Sequence, residues 1–313
     1  MKKKTFIFIT LIISLIVSAN LVSANKTDKG AELGGSVKIA GSSTVYPVSV
    51  AVAEEFNRLH PRVEIPVQST GTGGGFKNFF ISGKTDINDA SRRIKESEIE
   101  AAKNNGIDPI EFQVAIDAIT IVVNPDADWI DEITVEQLAH IWRPDNPAQK
   151  WSDVDPSWPD EKIELYGPTS ASGTFDFFTD AIVGEEGASR SDYQGTEQDN
   201  TIVQAVSGSK YATGYFGMAY YLENKGRVKA VKVNGVMPSI ETAKSGEYSP
   251  LSRPLFIYVS SESLKRPEVE EYVRFYIQQI STDLIKEIGY VPMTEADMKK
   301  TLARFEDIVE GQK

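Results

Sequence analysis

The chain has 313 residues, 41% of them hydrophobic and 25% charged, and 33 Lys and Arg stand against 45 Asp and Glu for a formal charge of −12. That length fits two domains with a core each, and the acidic balance argues against nucleic acid or an anionic membrane surface as a partner. Cysteine is absent, which excludes disulfides, thiolate metal sites, a cysteine nucleophile and a lipid-anchoring cysteine.

In chain order, Lys2, Lys3 and Lys4 precede an apolar run from Phe6 to Val17, and Val22, Ser23 and Ala24 supply small residues for cleavage. The run is shorter than the ~20 residues needed to span a bilayer, so residues 1–24 read as a cleaved signal peptide and the mature chain as a free periplasmic protein. Losing its three lysines takes the formal charge from −12 to −15. Residues 25–34 are a polar, flexible lead-in. Val37 to Ala40 reads as a strand running into Gly41-Ser42-Ser43-Thr44-Val45. Val48, Val52 and Phe56 then fall at helical spacing until His60-Pro61. A second strand, Val63 to Gln68, leads into a loop holding Gly71, Thr72, Gly73, Gly74 and Gly75 before Phe76, Phe79 and Phe80.

Ser91 and Arg92 follow a third strand, and a charged helix reaches about Asn104. Asp117 to Pro125 is a β-branched run suited to a buried strand. Thr134 caps a helix to Trp142, with Gln137 three residues on. A loop from Arg143 to Asp160 precedes a short strand, Ile163 to Tyr166, and then Thr169-Ser170-Ala171-Ser172-Gly173-Thr174 opens an aromatic helix. A helix through Val203 and Val206, the small-aromatic run Gly214 to Tyr221, the apolar strand Arg253 to Val259 and two amphipathic helices, Pro267 to Ile280 and Met293 to Val309, complete the chain.

Strands alternating with helices predict α/β domains. Three turns of small hydroxyl residues and glycine sit where strands give way to helices, the position at which such sheets bind ligands. Unpaired N–H groups and the helix dipole make each an anion cradle. A lone Ser172 or Thr174 is an ordinary cap, but three loops of one chemistry predict one anion site. The aromatic pairs Phe79-Phe80, Phe177-Phe178 and Tyr220-Tyr221 are read as packing.

The motifs GSSTVYP, TGTGGGFKNF, DINDASRRI and GPTSASGTFDFF, in this order and followed across the chain from about Gly35, resemble the phosphate-binding protein of the high-affinity phosphate ABC transporter. The resemblance implies a two-lobed periplasmic-binding-protein fold with two interlobe crossovers and a ligand cleft between α/β lobes. With the apolar segments Ile116 to Asn124 and Arg253 to Val259 as the crossovers, lobe I is expected at 35–115 plus 251–313 and lobe II at 116–250. It further implies phosphate binding by Ser43, Thr44, Thr72, Ser91, Arg92, Ser172, Gly173 and Thr174, delivery to the membrane permease of an ABC importer, and a monomer that needs no cofactor, metal or catalytic residue.

This chain departs from the family pattern at two positions. The Asp that accepts the proton of bound phosphate is replaced by Arg92, and an Arg four residues before the serine of SGT is replaced by Pro168. The proton acceptor is therefore open among Asp89, Asp117, Asp176 and a backbone carbonyl, with Asp176 first because it lies in the first turn after SGT. The rival readings are a binder of another oxyanion, sulfate or molybdate, and an exported phosphoester hydrolase using Ser172. The hydrolase lacks a base in a motif-like context, since the only histidines are His60 and His140. The GxSxG elbow is also missing, and Asn78 stands where a Walker A loop needs Ser or Thr.

Overall fold

Two long strands organise the protein. The computed structural model describes residues 33–196 and 198–312; the expected signal peptide and most of the lead-in lie outside them. Thirteen strands are found among the described residues. The first five are β1 (Gly34–Ser36), β2 (Ile39–Gly41), β3 (Arg62–Glu64), β4 (Val67–Ser69) and β5 (Ile87–Ala90). They are followed by β6 (Pro109–Val123), β7 (Glu132–Ile133), β8 (Glu164–Gly167), β9 (Gln194–Gly195), β10 (Ala212–Gly217), β11 (Lys229–Ala230), β12 (Lys232–Val233) and β13 (Ser252–Ser260). The α-helices are α1 (Tyr46–Leu59), α2 (Thr72–Gly75), α3 (Glu96–Asn104), α4 (Val135–Trp142), α5 (Trp151–Val154) and α6 (Gly173–Phe178). Then come α7 (Asp199–Gly208), α8 (Met218–Glu223), α9 (Ile240–Ser245), α10 (Pro267–Gln279), α11 (Asp283–Glu287) and α12 (Glu295–Gln312).

The main sheet runs β4-β2-β5-β13-β6-β10-β8-β9, with β11 also on β6. At about 3.3 Å per residue, the 15 residues of β6 span roughly 50 Å and serve both ends of the sheet. Residues 109–118 of β6 pair with β13, whereas Ile119 to Val123 pair with β10. Strands β4, β2 and β5 are parallel to one another. Because β13 is antiparallel to both β5 and β6, and β10 is antiparallel to β6 and parallel to β8, β8 runs opposite to β2, β4 and β5. Carboxyl ends of strands from the two halves therefore face each other across the junction, where α/β sheets place their ligands.

Apolar burial divides at the same junction. One core gathers Val37 through Ala115 with Leu255 through Val309, including Phe56, Tyr272, Tyr276 and Phe305. A second gathers Ile116 through Leu251 with Val291, around Trp142, Trp151, Phe178 and Tyr215. Smaller clusters cover the opposite sheet faces, Phe76 and Tyr258 in one half and Val203 and Phe216 in the other. Ile116 and Val291 exchange backbone hydrogen bonds of 3.0 and 2.9 Å, so the segment before α12 also ties the halves together.

Several elements differ in extent from the sequence reading. Gly34 belongs to β1, paired in parallel with β3, and is not part of a loose lead-in. The expected strand from Val63 to Gln68 is two strands, interrupted at Ile65 and Pro66, where Pro66 lacks an N–H. The glycine loop winds into α2 and widens into a π turn over Phe76–Phe80. Here glycine is required, because a Cβ on Gly75 would stand 2.7 Å from the Gly41 Cα. Thr134 and Gln137 form the reciprocal cap expected of them, with hydrogen bonds of 3.1 and 2.9 Å. Phe80, Phe177 and Phe178 are buried, whereas Phe79, Tyr220 and Tyr221 are half-buried. No described helix is long and apolar enough to cross a membrane.

Candidate functional site

A cleft of about 430 Å³ lies where the carboxyl ends meet, lined by Ser42, Ser43, Thr44, Gly71, Thr72, Gly73, Ser91, Arg92, Asp176, Phe177, Asp180, Glu186 and Arg253. From the first half, three turns build one wall. Ser42 is buried after β2, and its hydroxyl accepts from the Thr44 and Val45 amides at 3.2 and 3.4 Å, which fixes the turn entering α1. After β4, Thr72 turns its hydroxyl towards the loop after β5: its Oγ1 accepts from the Ser91 amide at 3.1 Å and lies 3.1 Å from the Ser91 hydroxyl. Arg92 follows at the rim, beside Gly73. Its guanidinium forks onto Glu98 of α3, Nη1 donating at 2.9 Å and Nη2 at 2.8 Å, and Nη1 also donates to the Arg93 carbonyl.

The other wall comes from α6 and the π turn after it. Phe175, Phe177 and Phe178 are buried, and Phe178 stacks on Tyr215 with ring centroids 3.8 Å apart, so the helix is anchored by its aromatic face. Ser172 caps it, accepting from the Thr174 amide at 3.2 Å. The first turn then presents Asp176 to the cleft, with Asp180 and Glu186 beyond. Burial raises the Asp176 carboxyl above its ordinary range, and the nearby Arg253 charge opposes that shift.

Of the residues expected from sequence, Ser43, Thr44, Thr72, Ser91, Arg92 and Asp176 line the cleft. Ser172, Gly173 and Thr174 stand at its edge, half-buried and outside that lining. Gly173 faces the Thr44 backbone, where a Cβ would stand 3.3 Å from the Thr44 Cα. Two of the three candidate aspartates point elsewhere. Asp89 is turned into the first core, its Oδ1 accepting from Ser49 at 2.8 Å. Asp117 is buried beneath Arg253, its Oδ2 accepting from Nε at 3.2 Å. Neither lines the cleft.

The sequence reading missed Ser42, Asp180, Glu186 and Arg253. Arg253 and Asp117 are Cα partners where β13 and β6 cross from one half to the other. Their signal was available as two opposite charges, each at the start of an apolar β-branched run. Pro168, where the family pattern has an arginine, is buried, and its carbonyl accepts from the Tyr193 hydroxyl at 2.8 Å. His60 ends α1, with its ring 4.5 Å from that of Phe56, and His140 lies within α4; neither reaches the cleft. Among the described residues, no group of three or more His, Asp or Glu is placed to hold a metal ion.

Two α/β halves joined by crossing strands, with a polar cleft at the crossing, define the two-lobed periplasmic-binding-protein fold. The chain belongs to the PBP superfamily, whose domain model matches residues 26–279. It is 46% identical over 267 residues to protein SphX of Synechocystis sp., covering 83% of this chain and 79% of that one. It is 36% identical over 281 residues to the phosphate-binding protein PstS of Staphylococcus saprophyticus, covering 88% and 86% respectively. Among solved structures, a possible phosphate binding protein from Planctomyces limnophilus superposes with a TM-score of 0.84 at 45% identity, covering 88% of this chain and 99% of that one. An ABC-type phosphate transport receptor from Vibrio cholerae gives 0.63 at 26% identity, covering 82% and 100%.

Proposed function

We propose that this chain is an exported solute-binding protein that closes its two lobes on inorganic phosphate and delivers it to the membrane permease of an ABC importer. The observation that carries the reading is the convergence of three hydroxyl-bearing strand ends on one cleft, with the Ser172-Gly173-Thr174 turn of the opposite half against Thr44. The names of the relatives point the same way. The division of the apolar cores supports lobe I at 35–115 plus 251–313 and lobe II at 116–250. Export is read from the sequence of residues 1–24 and supports a periplasmic location, and the protein is proposed to act as a monomer.

In this reading Ser43, Thr44, Thr72 and Ser91 donate hydroxyl or backbone hydrogens to phosphate oxygens. Arg92, held in place by Glu98, adds a cation, and Ser172, Gly173 and Thr174 close from the other lobe. Hydrogen bonds to a charged group contribute roughly 1.5 to 3 kcal/mol each, so about eight convergent donors offset the cost of taking a dianion out of water. Asp176 is the acceptor for the proton that monohydrogen phosphate carries and sulfate lacks. The overall charge of −12 does not oppose this, since surface charges beyond ~8 Å are largely screened at physiological ionic strength.

The cleft offers carboxylates, hydroxyls and guanidinium groups and no imidazole, so binding without turnover fits it better than phosphoester hydrolysis by Ser172. Calorimetric titration of ligand-stripped protein with phosphate, arsenate, sulfate and molybdate tests the reading. Phosphate and arsenate are expected to bind and sulfate is not. Tight sulfate or molybdate binding with no heat from phosphate would reassign the ligand.

A further inference from the structure

The structure assigns Arg253 to the cleft as a residue that contacts the bound oxyanion, supplied by a crossover strand and not by any of the small-residue loops. Arg253 lies near the start of β13, opposite Asp117 of β6, at the point where the partners of β6 change from one half to the other. Its Nε donates to Asp117 Oδ2 at 3.2 Å, and its Nη2 donates to Thr44 Oγ1 at 2.9 Å. The guanidinium carbon lies 3.8 Å from the Phe177 ring centroid, so the plane of the fork is held by stacking as well as by hydrogen bonds. One side chain thus touches both crossover strands, the first anion loop and the helix of the opposite half.

The simpler role for Arg253 is to neutralise Asp117, which is only 2% exposed. That role uses Nε and Nη2 and leaves Nη1 with no hydrogen-bond partner among the described residues, in a side chain that lines the cleft. Thr44 Oγ1 accepts from Arg253, so its own hydrogen is free to point at a ligand. Charge balance adds to the argument. Asp176, Asp180 and Glu186 line the same cleft, while Arg92 is already matched by the Glu98 carboxylate. An oxyanion entering this cleft needs a further cation, and Arg253 is the other guanidinium lining it.

This assignment rests on the phosphate reading given above, and titrating the wild type first separates the two. Wild type, Arg253→Gln and Arg253→Lys are titrated with phosphate by calorimetry, and each is melted without ligand to check folding. Removing charge-assisted hydrogen bonds is expected to weaken phosphate binding by roughly 10- to 100-fold in Arg253→Gln. Arg253→Lys should recover part of the loss, because it keeps the charge and loses the fork. A wild-type chain that takes up no phosphate sinks the reading of the whole cleft and this assignment with it. Wild-type uptake with Arg253→Gln within twofold of it, whatever the unliganded melt, leaves Arg253 a structural partner of Asp117 and overturns the assignment alone. Should neither variant fold, modification of wild-type arginines by phenylglyoxal decides. The Arg253 peptide is expected to be protected by saturating phosphate, and an unchanged rate refutes the contact.

Discussion

Gly173 and Thr44 come from opposite halves of the chain, and a Cβ on Gly173 would stand 3.3 Å from the Thr44 Cα and 3.5 Å from its Oγ1. The two anion loops therefore meet backbone to backbone, and a side chain at 173 holds them apart. A branched side chain here should oppose closure without disturbing either core, because Gly173 is half-exposed and its φ needs no glycine. Gly173→Val is expected to melt like wild type without ligand and to bind phosphate at least about tenfold more weakly, or ~1.4 kcal/mol. Unchanged affinity by calorimetry would mean that these loops do not close on the ligand.

Arg92 and Glu98 give a graded test of the first lobe's cation. Arg92→Ala should weaken phosphate and arsenate alike, by roughly 1.5 to 3 kcal/mol if a charged hydrogen bond is lost. Glu98→Gln leaves the guanidinium but loosens the fork that aims it, so its loss should be smaller. Equal affinities for wild type and Arg92→Ala would return Arg92 to the role of a rim salt bridge.

Of Asp89, Asp117 and Asp176, only Asp176 lines the cleft. A site that pairs a substrate proton rejects analogues lacking it by up to about 10⁴ to 10⁵. Asp176→Asn is therefore expected to weaken phosphate much more than any sulfate binding, narrowing the selectivity measured by paired titrations. Retention of full selectivity would place the acceptor elsewhere.

Local rules made most of the fold legible. The Val48, Val52 and Phe56 spacing is the buried face of α1, and Thr134 with Gln137 is a working cap. The first eight residues of β6 were not read as strand, although buried Ile110, Phe112 and Val114 alternate with half-buried Glu111 and Gln113 as a strand with one covered face should. Short α5 and α11 carry too few residues to show a period. The three loops were legible because each is contiguous in sequence. Arg253 was not, since its meaning depends on Asp117, 136 residues away and joined to it only by strand register.

Asp89, which does not line the cleft, is expected to make folding pH-dependent. Its carboxyl is fully buried beneath α1 and α10, with Ser49 donating to Oδ1, the Tyr276 hydroxyl 3.0 Å from Ser49 Oγ, and Oδ2 without a partner. The ionisable neighbours are the Tyr272 and Tyr276 hydroxyls, whose own pKa values burial pushes well up, so neither titrates near neutrality. Burial pushes the Asp89 carboxyl up to about 7, with the Ser49 hydrogen bond opposing. An unfolded aspartate titrates near ~3.9, so between those values the folded chain holds a proton that the unfolded chain has released. Stability from this group is therefore fully present below about pH 4, falls as pH rises towards 7, and stays at its minimum above that. Asp89→Asn cannot ionise, so it should remove that decline. Urea midpoints of phosphate-free protein from pH 4 to 8 are expected to separate as pH rises, the variant gaining on wild type by of order a few kcal/mol. Parallel wild-type and variant profiles would show that Asp89 ionises as easily folded as unfolded.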